Sequence, residues 1–419
     1  MSGDAATKVG FLVGTDTDTG ATAAAPTVPL GMKRARWRRP GGPGETGDPG
    51  KLRRRGLGSL APRSAYLLFA VALLAFPRLF GTPTDARQWA EWLCYAMVAV
   101  GLDIAWGYGG MLALGQGLFF GLGAYAMAMH LSLEQVPDGS LPSFMSLYSD
   151  NTELPLLWRP FQSFWATIIA AVVVPAVVAA LLGLLVFKRR IRGPYFALLT
   201  QATAVIFALV LIGNLKLTAG FNGLTGFSTV FGRNKYAPET NSWLYDLAAV
   251  MLLVVLGVAM LVVRSRYGKL LQATRDSEDR VRFLGYDPAV VKTIGFVIAA
   301  AMAGAAGAVA APVFGIVSPG QFDYAPSILM ICWVAVGGRG KLWGAVLGAL
   351  VVNWTRVTVS EARPDDWQYL QGALFVVILA FAPGGFAGLL TAGWERLRHR
   401  LQPGRAGRGD RIVLEEAPV

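Results

Sequence analysis

The chain has 419 residues, 54% of them hydrophobic and 15% charged, with a mean hydropathy of +0.47 and a net charge of +12. A soluble chain carries about 25% charged residues, so this one has too few charges to cover a water-facing surface, and lipid is the expected solvent. Cys94 and Cys332 lie far apart in apolar runs, and His130 and His399 are the only histidines, which excludes a disulfide framework, a CxxC redox or metal site, and a His-based metal cage or catalytic triad.

Residues 1–63 carry a basic block from Lys33 to Arg63 among Gly, Pro, Thr and Ala, and are expected to form a disordered cytoplasmic segment. Gly42, Gly44 and Gly47 spell GxGxxG, but they follow no strand and open no helix, so the dinucleotide reading fails. No short n-region leads into the first apolar run, which is therefore expected to stay as an anchor rather than be cleaved.

Apolar runs follow near 65–80, 89–106, 110–133, 164–187, 194–213, 243–263, 292–316, 325–338, 342–360 and 366–390. About 20 residues suffice to cross a bilayer. The fold class expected is all-α, a polytopic membrane protein of about ten transmembrane helices over residues 64–393, the runs at 65–80 and 325–338 being short enough to be tilted or broken. Residues 394–419 form a tail.

The positive charge serves topology rather than nucleic acid. Beyond the head it falls in blocks at Lys188–Arg192, Arg264–Lys292 and Arg396–Arg411, each separated by an even number of runs, as the positive-inside rule requires. Both termini are then cytoplasmic. The intervening outer loops carry acids instead: Glu134, Asp138, Asp150 and Glu153 in one, Glu361, Asp365 and Asp366 in another.

The stretch Gly107–Gly117 is too rich in glycine to open an ordinary lipid-facing helix, and irregular backbone at membrane depth survives only where protein or a wet cavity satisfies it. Gly117, Gly121 and Tyr125 recur every four residues, forming either a packing strip or a pore wall. Gly304 with Gly307, and Gly344 with Gly348, read as packing devices. Polar residues inside the runs are mostly neutral: Gln116, Thr200, Gln201, Thr203 and Asn353. Amides and hydroxyls replace the hydration of a small polar solute, so Gln116, Tyr125, Thr200, Gln201 and Asn353 are the candidate pathway residues. Glu91 and Asp103 are expected at solvated helix ends.

The third basic block is mixed in charge and compatible with helix. Leu270, Thr274, Ser277, Val281 and Leu284 would form one weakly apolar stripe, Gly285 would end the helix, and Asp287 before Pro288 would cap the next. This is either an ordinary interfacial loop or a docking helix for a cytoplasmic partner. The chain has no nucleotide site of its own, since Gly340-Lys341 is followed by Leu342 and lacks the preceding glycine of a Walker A loop. With no metal cluster and no GxSxG elbow, it is expected not to be an enzyme.

The run Gly107-Tyr-Gly-Gly-Met-Leu-Ala-Leu-Gly-Gln-Gly-Leu-Phe-Phe-Gly-Leu-Gly-Ala-Tyr125 resembles the signature of the branched-chain amino acid and urea permeases of ABC importers. Leu271–Gly285 is similar to the cytoplasmic loop with which that family is thought to engage its ATPase. Leu141–Met145 with Leu154-Pro155 and Trp158–Phe161, Gly193–Phe196 with Thr200-Gln201, Gly223–Phe227, and Trp333–Gly340 followed by Gly344-Ala345 resemble the urea branch. The resemblance covers roughly residues 60–395 and departs at Gln116, where many members of the broader family carry His.

The resemblance implies a permease subunit in a bacterial plasma membrane, and residues 264–290 as its coupling segment. Arg275, Asp276, Ser277, Glu278, Arg280, Phe283, Leu284 and Gly285 are then the ATPase-coupling candidates. The partners implied are a second homologous permease, two cytoplasmic ATPases that hold ATP and Mg, and an extracytoplasmic solute-binding protein, with no cofactor or metal in this chain. Urea is the first expected substrate and a branched-chain amino acid the alternative. A stand-alone channel or secondary transporter is the reading from a different class.

Overall fold

A computed structural model of the chain describes residues 61–80, 83–137, 140–148, 154–191 and 193–362, with positions 369, 372, 373, 385, 386 and 388. The basic head, the tail and most of the tenth apolar run lie outside the described residues.

Each of the first nine apolar runs contains a helix. In chain order the helices are α1 (Ala61–Phe80), α2 (Pro83–Asp103), α3 (Gln116–Glu134), α4 (Ser143–Tyr148), α5 (Phe164–Lys188), α6 (Pro194–Gly213), α7 (Leu215–Thr218), α8 (Pro238–Arg264), α9 (Arg266–Asp276), α10 (Glu278–Phe283), α11 (Pro288–Phe314), α12 (Tyr324–Gly337) and α13 (Leu342–Ala362). Among the described residues, α5, α6, α8, α11 and α13 are long and apolar enough to cross a membrane, and α12 is the short run anticipated from the sequence. This is an all-α polytopic membrane protein. Among the described residues the strands are two-residue pairs at loops: β1 (Leu224–Thr225) with β4 (Ile316–Val317), and β2 (Thr229–Val230) with β3 (Arg233–Asn234), both antiparallel.

The helix starts follow local chemistry. Proline, whose missing N–H costs nothing in a first turn, opens α6, α8 and α11. The Asp287 carboxylate accepts from Ala289 N at 2.9 Å at the head of α11, and Gly285, at φ +86°, turns the chain just before it, both as the sequence anticipated.

Helix α11 is the centre of the bundle, packed against α3, α5 and α2, while α2 also holds α8 and α13, and α13 holds α12. Small residues set these distances. A Cβ on Gly123 would strike the Gly304 carbonyl, one on Gly307 the Phe120 carbonyl, and one on Gly348 the Trp333 carbonyl. Helices in lipid gain little from hydrophobic burial against each other, so close backbone contact of this kind supplies the attraction. Helix α1 is pinned to α8 at two levels, by Tyr66 Oη donating to the Leu253 carbonyl at 2.7 Å and Tyr245 Oη donating to the Leu73 carbonyl at 2.8 Å.

Two expectations fail here. Asp103 is fully buried rather than solvated, because its Oδ1 accepts from Gly340 N at 2.8 Å on the turn that joins α12 to α13. The 264–285 segment is two helices, broken at Ser277 in extended backbone. Its buried residues are Gly268, Leu271, Thr274 and Val281, whereas Leu284 is 74% exposed. The stripe shifts because α9 lies on α11, where Leu271 and Tyr267 fill the space left by Gly295.

Candidate translocation site and coupling segment

Between α2 and α3 the chain makes a π-helical turn, Ile104–Tyr108, and then runs without helix to Gly115. Gly109 N, Gly110 N and Met111 N donate to the carbonyls of Ile104, Trp106 and Ala105 at 3.0, 3.0 and 2.9 Å. The first part of the break thus meets its hydrogen-bond demand locally, as membrane depth requires. Such turns are rare and are frequent at functional sites.

The start of α3 rests on α6. Gly115 N donates to Thr200 Oγ1 at 3.3 Å, and that hydroxyl donates to the Ala197 carbonyl at 2.8 Å. Gln116 is fully buried, with Nε2 donating to the Ala299 carbonyl of α11 at 3.1 Å and Oε1 lacking a partner. Gln201, next to Thr200, has both amide atoms buried and unpartnered, and so has Tyr125 its hydroxyl. The Tyr125 ring lies 5.8 Å from that of Phe322.

A further unpartnered oxygen, Gln321 Oε1, sits on the turn Pro319–Phe322, which packs on both α3 and α6. Each buried amide or hydroxyl left without a partner costs about 1–3 kcal/mol, so several together mark a place that water or a polar solute completes. The glycine strip on α3 resolves as packing: Gly117 faces the Gln321 carbonyl and the Ser327 hydroxyl, and Gly121 faces the Phe322 ring. Asn353 stands apart. Its Nδ2 donates to the Ala349 carbonyl of its own helix at 2.7 Å, and α13 packs chiefly on α12 and α2.

The coupling candidates divide into two sets. Arg275 and Glu278 face inward. Arg275 Nη1 donates to the Gly107 carbonyl in the π turn at 2.6 Å, its aliphatic stem fills the space over Gly110, and its other nitrogens hold Asp276 at 3.0 Å. Glu278 pairs with Lys292 of α11. Ser277 is half-buried at the break, while Arg280, Phe283, Leu284 and Gly285 are exposed, Phe283 by 91%.

Beside Gly107, the Arg339 guanidinium lies 4.4 Å from the Trp106 ring. Burial and then the neighbouring Arg275 charge lower the Arg339 pKa, and the Asp103 carboxylate opposes them. The segment between α8 and α11 is therefore fastened to the break that precedes Gln116.

The family model described as branched-chain amino acid transport system / permease component matches residues 90–379. The chain belongs to that permease family. It is similar to the permease protein LivM of Salmonella typhimurium, 28% identical over 315 residues that cover 70% of this chain and 67% of LivM. BraD of Pseudomonas aeruginosa is 24% identical and LivH of Escherichia coli 23% identical, each match covering 70% of this chain and 91% of the relative. All three carry the name high-affinity branched-chain amino acid transport system permease protein. No solved structure matches the chain.

The permease is thus a multi-pass membrane transport component. The urea branch finds no counterpart among these relatives. Two features of the permease escaped sequence reading. Gln321 lies in a short loop with no periodicity to flag it, and the Asp103–Gly340 bond joins residues 237 positions apart. The one available signal was the polarity of Gln321 beside Phe322, between two apolar runs.

Proposed function

We propose that the permease is the membrane subunit of an ATP-driven importer for branched-chain amino acids, forming the passage with a second permease. The observation that carries this reading is the family match over residues 90–379, joined to the shared name of the relatives. The unpartnered amides support it. A zwitterion needs acceptors for its ammonium and a donor for its carboxylate, and the free Gln116 Oε1 and the Gln201 amide offer both. Their neutrality allows release, which fixed charges would slow.

On this reading the basic ends of α5, α8 and α10 face the cytoplasm, and Phe283, Leu284 and Gly285 meet an ATPase that brings ATP and Mg. A solute-binding protein delivers substrate on the opposite side. Urea is the second reading, favoured by the segments that resemble that branch, among them Gly193–Phe196 and Gly223–Phe227. The complete purified transporter decides between them: leucine with its binding protein is expected to stimulate ATP hydrolysis. Stimulation by urea with its own binding protein, and none by leucine, would replace this assignment.

A further inference from the structure

The second and third basic blocks, separate in sequence, meet in space. At the end of α5, a cavity of about 330 Å³ is lined by Lys188 and Arg190 from the first of these blocks and by Arg282 and Lys292 from the second. Two carboxylates also line it, but both are engaged: Glu278 with Lys292, and Asp287 with the first turn of α11. Among the described residues, Lys188 and Arg190 have no ion-pair partner. Arg282 pairs with Asp279 at 3.6 Å and Lys292 with Glu278, so the surplus of positive charge facing the open cavity rests on Lys188 and Arg190.

A second cavity of about 410 Å³ adjoins the first and shares Phe187, Ile191 and Lys292 with it. Its lining is otherwise mostly apolar and includes Leu198 of α6, which is 61% exposed. Leu185 of α5, two residues before Phe187, is also 68% exposed. The Lys292 ammonium stands 6.0 Å from the Phe187 ring, at the boundary between the polar and apolar halves.

We infer that these joined cavities bind one anionic phospholipid, its phosphate in the polar half and the upper part of an acyl chain in the apolar half. The occupant follows from the arrangement. A soluble anion would have no use for the apolar half, a neutral lipid none for the free cations, and both halves lie at the end of membrane-crossing helices, where a headgroup meets its tail. Because α10 supplies Arg282 and Glu278, the lipid braces the coupling segment against α5 and α11. This rests on the membrane-spanning permease fold and not on the choice of substrate.

Native mass spectrometry of the full chain in mild detergent tests it, with phosphatidylglycerol and phosphatidylcholine of matched acyl chains added in competition. Phosphatidylglycerol is expected to be retained preferentially, and the triple variant K188Q/R190Q/R282Q to lose the preference, by roughly fivefold in affinity for each cation removed. Arg189→Gln, one residue away but outside the cavity lining, should leave it intact. Equal retention of the two lipids by the unmodified chain would overturn the inference without any variant. Displacement of phosphatidylglycerol by millimolar inorganic phosphate would reassign the polar half to a soluble anion. Protection of residues 188–191 from hydrogen exchange only when ATPase subunits are bound would give the cavity to them.

Discussion

Helices α5 and α11 are both long apolar spans, yet 22% of an 18-residue apolar stretch of the first and 72% of that of the second lies buried. Helix α5 is the more apolar and is built from Val, Ile and Leu, while α11 is dominated by Ala and Gly. In a soluble protein the most apolar helix is the innermost. Here the order inverts, because lipid already satisfies large aliphatic side chains and only small residues let backbones approach. The interior is where glycine concentrates, and the π-helical break after α2 lies against it.

This contrast is most exposed to test at Gly307. A side chain there would enter the backbone of α3 at Phe120, so Gly307→Leu is expected to cost more than about 3 kcal/mol and to abolish monodisperse protein. Leu209→Ala on the outer face of α6, where Leu209 is 61% exposed, should shift the unfolding midpoint by no more than about 0.5 kcal/mol equivalent. Similar losses at both positions would remove the distinction between an inner and an outer layer.

A smaller effect is expected at the link between the coupling segment and the interior. Arg275→Ala removes a charged hydrogen bond to Gly107, and such bonds are worth about 1.5–3 kcal/mol. Substrate moved per ATP hydrolysed should fall about tenfold, with membrane insertion and basal ATP hydrolysis retained. Unchanged stoichiometry would mean that the bond only fills space.

The smallest effect concerns the opposite end of α11, where Lys235 is nearly buried beside Gly315 and Arg87. Burial, then Arg87, lowers the pKa of Lys235. The unfolded chain therefore holds this proton more readily than the folded one, and stability rises with pH between the folded value and the ordinary 10.5. Lys235→Met should stabilise the permease at neutral pH and flatten that rise, as read from thermal midpoints measured across the alkaline range. A rise of undiminished slope in the variant would assign it to other groups.

Much of the helical fold was legible because span length is a one-dimensional property. The Asp287-Pro288 cap and the Gly285 turn were legible for the same reason, being fixed by neighbours in sequence. The break at Ser277 and the choice of Leu271 over Leu270 were not, since the face that α9 presents depends on where α11 leaves room at Gly295. Of the candidate residues, Thr200 bonds Gly115 beside Gln116, while Gln116 Oε1 and the Gln201 amide are buried without partners. Asn353, equally polar, satisfies itself within α13, and Gln321 joins through a loop whose position only the tertiary structure reveals.

The central claim is that the permease moves branched-chain amino acids only when partner ATPases drive it. Uptake of labelled leucine into proteoliposomes measures this directly, comparing the complete transporter supplied with binding protein and ATP against this chain alone. The account predicts ATP-dependent accumulation in the first and none in the second. Leucine flux through the chain alone, insensitive to ATP, would contradict it.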